Sequence, residues 1–275
     1  MVWLKRFFNF YIDASIHVAL AVYALTFVSL TKFNLPFDES VLFINFFGTI
    51  LGYNFVKYAH ILVNSKQKSL QLKGVLLVSV LSLFGLIYYV TQLPLKSLVL
   101  LGFCLLLTAL YTFPIFKWSS FKASTFALRA IPGLKIFVIA VVWSLVTVFF
   151  PAFQFYNIIT ADVCITLLQV FLLVVALMVP FEIRDLTHDT CELKTLPQVL
   201  GVKKTKSLGG FLCLVIFLLD FFKNEISLQH LIATGLFLLI LCVSIFSAKQ
   251  KQSTYYSSFW IEAMPLLWLL LLVVF

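Results

Sequence analysis

Nine apolar runs divide the chain, near residues 12–32, 38–62, 72–91, 95–113, 130–151, 159–181, 207–223, 228–247 and 256–275. A helix of about 20 such residues, rising 1.5 Å per residue, spans the ~30 Å hydrocarbon core of a bilayer. Polar backbone groups can cross that core only when they are satisfied inside the segment, which leaves the helix as the solution for runs of this length. The expected fold is an all-α integral membrane protein with about nine transmembrane helices, forming one domain over residues 1–275. A chain with 62% hydrophobic and 11% charged residues has no use for a water-soluble core.

The net charge of +9 would suit nucleic acid if it were gathered on one surface. Its distribution follows the membrane instead. With the N-terminus inside, Lys32, Lys96 and Lys223 fall on outer connections and the other 17 of the 20 basic residues on inner ones. By the positive-inside rule this predicts a cytoplasmic N-terminus and an external C-terminus, and it excludes a nucleic-acid partner. The longer connections, near 63–72, 114–129 and 182–206, all face the cytoplasm, so any chemistry is expected there.

Transporters place ionisable groups at mid-membrane depth. Here Asp13, Asp162, Asp220 and Glu262 fall near predicted helix ends and read as boundary residues, which disfavours a transporter. Five dispersed cysteines without a C-x-x-C pair predict neither disulfides nor a zinc site.

The segment 179–197 is the exception to this scarcity of charge, because Glu182, Asp185, Asp189 and Glu192 crowd into it in a chain with only 11 acids. On a continuing helix they would project at roughly 0°, 300°, 340° and 280°, one narrow acidic face. Such a face repels itself, the more so at the low-dielectric membrane boundary, and a cation relieves it. Hard oxygen ligands suit Mg²⁺, which is commonly held by one or two carboxylates together with substrate phosphates. Across the same side, Lys117, Lys122, Arg129 and Lys135 flank Tyr111-Thr-Phe-Pro-Ile-Phe-Lys117 and Arg129-Ala-Ile-Pro-Gly-Leu-Lys135 and could hold an anion, although for Lys122 the positive-inside bias is explanation enough. A solvated helix end whose acids meet Lys194, Lys203 or Lys204 is the structural alternative.

Arg184-Asp185-x-x-x-Asp189 followed by Lys194-Thr-Leu-Pro-x-x-Leu-Gly201 resembles the second aspartate motif and downstream segment of the UbiA superfamily of intramembrane prenyltransferases. Tyr111-Thr-x-Pro-x-x-Lys117 is similar to that family's segment after the fourth helix, and the nine-span, N-inside layout fits along the whole chain. The resemblance implies a helical bundle around a central lipid-accessible cavity, where Mg²⁺ and two aspartate motifs bind a prenyl diphosphate and the prenyl group passes to a hydrophobic, often aromatic, acceptor. It implies Asp185 and Asp189 as catalytic metal ligands with Glu182 and Glu192 in support. Lys117, Arg129, Lys135, Lys194, Arg184, Tyr111, Asn54 and Lys57 would contact the diphosphate. It also implies a bacterial inner membrane with the active face cytoplasmic.

The family's first motif, N-x-x-x-D-x-x-x-D, aligns with Asn54-Phe-Val-Lys-Tyr58-Ala-His-Ile-Leu62, where Tyr58 and Leu62 replace both aspartates. Half of the metal cage is missing, and an ion pair from Lys57 could take its place. Two functions therefore stand: a UbiA-like prenyltransferase, and a non-catalytic protein of that fold binding a lipid or a protein partner.

Overall fold

The computed structural model describes residues 2–64, 70–113, 127–156, 159–187, 193–224 and 226–275, and it is helical throughout these. An amphipathic α1 (Val2–Asp13) leads into α2 (Ile16–Lys32), α3 (Glu39–Asn64), α4 (Leu70–Val90) and α5 (Leu95–Thr112). Then come α6 (Leu134–Ser144), α7 (Phe150–Phe155), α8 (Ala161–Asp185), the short α9 (Leu196–Leu200), α10 (Val202–Leu219), α11 (Leu228–Ser247) and α12 (Met264–Val274). Among the described residues, eight helical segments are long and apolar enough to cross a membrane, and the bent pair α1–α2 makes a ninth.

Packing neighbours follow one another in the order α4, α3, α2, α12, α11, α10, α8, α6, α5. In α8, 61% of the spanning window is buried, against 11% in α4, which puts α8 at the centre of the bundle and α4 on its lipid-facing rim. Close approach of α10 to its neighbours depends on Gly209, where an added Cβ would sit 2.9 Å from Ile245 and 3.5 Å from Val179.

The first run does not form one straight helix. It breaks at Ser15, whose φ of 61° lies in the left-handed region, and α1 turns away from α2 by 55°. Trp3, Leu4 and Phe7 on α1 are exposed. The bend is clamped from α3. Asn54 Nδ2 donates to the Ala14 carbonyl at 3.2 Å, Lys57 Nζ to Ser15 Oγ at 3.0 Å, and the Tyr58 hydroxyl to the Asp13 carbonyl at 3.1 Å.

Three further irregularities interrupt the helices, and at each a polar side chain reaches the backbone. A π-turn at Leu145–Phe149 joins α6 to α7, and Asn45 Nδ2 from α3 donates to Val146 O at 2.6 Å and to Thr26 Oγ1 at 2.9 Å. Pro180 sits inside α8 without ending it, and its carbonyl accepts from Gln252 Nε2 at 3.2 Å. A second π-turn, Tyr256–Ile261, precedes α12, and His17 Nε2 meets Phe259 O at 2.8 Å. Asn45 is 4% exposed. Asn45→Ala is therefore expected to cost about 0.5–2 kcal/mol, the range of polar contacts within membrane bundles. A denaturant titration in detergent measures it, and an Asn45→Ala protein as stable as the parent would remove that role.

Candidate functional site

The acidic stretch does not form the single face that its spacing predicts. α8 ends at Asp185 and residues 186–187 turn, so the helical wheel reaches only Glu182 and Asp185. Asp189, Glu192 and His188 lie outside the described residues, as do Lys117 and Lys122. Glu182 is 3% exposed, and its Oε2 accepts the Leu196 N–H at 3.0 Å. A carboxylate there meets the N-terminus of α9, where backbone N–H groups lack helical partners. Asp185 is gripped by its neighbour: Arg184 Nε donates to Oδ1 at 2.7 Å and Nη2 to Oδ2 at 3.3 Å. The remaining Arg184 arm, Nη1, donates to Ser258 Oγ at 3.1 Å, and its guanidinium lies 5.2 Å from the Phe181 ring.

The basic stretch before α6 does come to this end of α8. Gly133, with a φ of 71°, donates its N–H to Leu193 O at 3.0 Å, which ties the Arg129–Lys135 segment to the residues after the motif. Pro132 precedes that turn instead of occupying the first turn of α6, which begins at Leu134. Arg129 lies in a 3₁₀ turn, Lys135 in the first turn of α6 and Lys194, with a φ of 44°, at the exposed start of the α9 approach. Gly201 then takes a φ of 78° and a ψ of 156°, a conformation open essentially to glycine, so that α9 can hand over directly to α10.

On α3, the positions aligned with the first motif are used on the chain's own backbone. Tyr58 and Asn54 both bind the α1–α2 bend, and Leu62 falls on the last turns of α3. Asn54 is 4% exposed, its amide also donates to Ser79 Oγ at 3.0 Å, and its Oδ1 is buried without a partner. Lys57, expected to contact the diphosphate, is held by Ser15 with its ammonium 5.9 Å from the Tyr53 ring.

Glu262 is the group that sequence reasoning missed. It follows the second π-turn, and its carboxylate lies in the electrostatic field of Lys57 from α3 and Arg184 from α8. Tyr53 is also within that field, with Tyr111 of α5 nearby. The Tyr53 hydroxyl accepts from Trp143 Nε1 of α6 at 3.1 Å. Lys57 and Tyr53 of α3 meet Trp143 of α6, and Arg184 of α8 meets Ser258 of the second π-turn. A lone acid in the last apolar run was the available signal.

Among the described residues no three His, Cys, Asp or Glu side chains gather as a metal site. Glu182 accepts from Leu196 N and Asp185 from Arg184, and Asp189 and Glu192, the other two acids expected around Mg²⁺, lie outside the described residues. An anion could be held if Arg184 were exchanged from Asp185, or Lys57 from Ser15, to a stronger acceptor. Comparison of the chain with family models, curated proteins and solved structures finds no match.

Proposed function

We propose that this protein is a UbiA-like membrane protein that binds a prenyl diphosphate at its cytoplasmic face, with Lys57 and Arg184 meeting the diphosphate and the apolar bundle receiving the isoprenoid tail. What supports this reading is that two basic side chains from distant helices are held in place, Lys57 on Ser15 and Arg184 on Asp185 and Ser258. Lys57 lies by the Tyr53 ring and Arg184 by the Phe181 ring. The first-motif positions support a metal-independent mode, since Tyr58 and Asn54 are occupied with the α1–α2 bend. The membrane would be a bacterial inner membrane.

A catalytic reading, transfer of the prenyl group to a hydrophobic or aromatic acceptor with Mg²⁺ on Asp185 and Asp189, is favoured by the intact Arg184-Asp185-x-x-x-Asp189 and Lys194-Thr-Leu-Pro-x-x-Leu-Gly201 segments.

Titration of the detergent-purified chain with farnesyl diphosphate, with Mg²⁺ and with EDTA, separates the two. The binding reading expects saturable affinity in EDTA that falls at least tenfold in Lys57→Gln/Arg184→Gln. Mg²⁺-dependent affinity, lost in Asp185→Ala or Asp189→Ala and accompanied by turnover with an aromatic acceptor, would establish the catalytic reading. A folded protein that binds the diphosphate under neither condition removes both.

A further inference from the structure

The first half of α1 carries apolar side chains that no described residue covers. Trp3 is 83% exposed, Leu4 76% and Phe7 71%. At about 100° per residue they project near 300°, 40° and 340°, within one arc roughly 100° wide. Lys5 and Arg6, both exposed, project near 140° and 240°, outside that arc.

Further along α1 the same face is already in use. Phe8, Phe10 and Tyr11 project near 80°, 280° and 20°, and each packs against the bundle. The Phe8 ring lies 4.9 Å from that of Phe259 in the second π-turn, centroid to centroid. Phe10 covers Gly74 of α4, where an added Cβ would come within 2.8 Å of its ring. The Tyr11 hydroxyl donates to His17 Nδ1 of α2 at 2.8 Å. α1 thus rests on the end of the bundle with its second half and overhangs the edge with its first, and one apolar face runs continuously through both. The contacts of Asn54, Lys57 and Tyr58 with residues 13–15 hold the angle of the overhang.

The depth of the overhang follows from the span it adjoins. Only Ala14 and Ser15 separate α1 from α2. With α2 along the bilayer normal, its 17 residues rise about 26 Å, and the stretch from Ser15 back to Lys5, turned by 55°, adds about 9 Å. Lys5 and Arg6 then stand just past the ~30 Å hydrocarbon layer, level with lipid phosphates. Trp3, Leu4 and Phe7 lie on the bundle side of the helix, toward acyl chains, and tryptophan favours that boundary. The elements beneath α1 are basic as well. Lys73 beside Gly74, and Lys249 and Lys251 ahead of the second π-turn, are exposed. The connections 65–69 and 248–255 contain lysine and no acid. Asp13, the one acid in α1, accepts from Gln71 Nε2 at 2.6 Å.

We propose that the first half of α1 docks on an anionic lipid leaflet, with Trp3, Leu4 and Phe7 entering the acyl region and Lys5 and Arg6 pairing with headgroup phosphates. An apolar arc flanked by cations is what holds a helix in the membrane interface, and a negatively charged leaflet adds attraction for each basic residue close to it. The surface is independent of the prenyl diphosphate reading and stands or falls separately.

The test uses the full chain reconstituted in vesicles of phosphatidylcholine and phosphatidylglycerol, with one lipid or the other brominated on its acyl chains to quench tryptophan. The emission lost in Trp3→Phe isolates Trp3 from the remaining tryptophans, and so exposed a side chain can be exchanged without disturbing the bundle. Brominated phosphatidylcholine is expected to quench Trp3, and brominated phosphatidylglycerol to do so at least about threefold more effectively at equal content. Lys5→Gln/Arg6→Gln should abolish that excess and leave quenching by phosphatidylcholine in place, as should high salt. Trp3 emission that neither lipid quenches would overturn the docking. Equal quenching by both, or an excess that survives in Lys5→Gln/Arg6→Gln, would overturn the anionic headgroup as partner. Quenching that fades as the protein-to-lipid ratio rises would show a second copy of the chain covering this face, and end the proposal.

Discussion

Replacing Trp268 with alanine is expected to destabilise the bundle by about 3–5 kcal/mol, the cost of removing a large aromatic side chain from a packed interior. The ring is 1% exposed and stacks on Phe237 of α11 with centroids 4.8 Å apart and planes 3° from parallel. Its Nε1 donates to Thr234 Oγ1 at 3.3 Å. Phe237 and Thr234 are themselves fully buried, so neither can move outward to close the void. Above the ring sits Lys32 at 4.8 Å, so the same side chain joins α12 to α11 and supports the ammonium of α2. Trp268→Phe keeps the stack and loses the indole hydrogen bond, a change of about 1 kcal/mol. Urea or SDS titration of the detergent-solubilised protein reads both. Equal losses in the two variants would mean that the hydrogen bond, and not the packing, holds this junction.

The spans were legible because the signal is local: a run of apolar residues of bilayer length needs no knowledge of its neighbours. The expected run 228–247 coincides with α11, and 95–113 with α5 to within a residue. The bend at Ser15 was not legible, since the donors that stabilise it, Asn54, Lys57 and Tyr58, belong to another helix. That Tyr58 and Leu62 stand where the resemblance expects aspartates was visible in sequence, but what Tyr58 binds was not. Tyr58 carries a hydroxyl that reaches a carbonyl of the bend, and nothing in Asn54-Phe-Val-Lys-Tyr58 announces that partner.

The acidic face can be followed only for its first two acids. Spacing by three and four residues implies one face only while the helix lasts, and α8 stops at Asp185. Pro180 lies inside α8 without ending it, and its own carbonyl accepts from Gln252 and Ser257. Asp220 and Glu262 show the same limit from the other side. Both read as boundary acids in their own segments; Asp220 meets Lys223 three residues on, but its contact with Lys32 of α2 arises only through tertiary packing.

Glu182 separates a structural strut from a ligand-holding charge. Glu182→Ala removes the acceptor of the Leu196 N–H, and a hydrogen bond to a charged group of this kind is worth about 1.5–3 kcal/mol. The start of α9 should loosen, and with it the Leu193 carbonyl that holds Gly133 and the basic segment before α6. Glu182→Gln keeps an amide oxygen at nearly the same place and should cost about 1 kcal/mol or less. If the carboxylate serves only the backbone, prenyl diphosphate affinity follows stability: lowered in Glu182→Ala, within about threefold of the parent in Glu182→Gln, the latter difference being under about 1 kcal/mol. A side chain that acts through its charge, on a bound cation or on Arg184, behaves otherwise. Glu182→Gln would then lose tenfold or more in affinity while its unfolding curve stayed in place. That second pattern would return Glu182 to the metal-binding role implied by the sequence motif, and would require the described contact with Leu196 to open when the diphosphate binds.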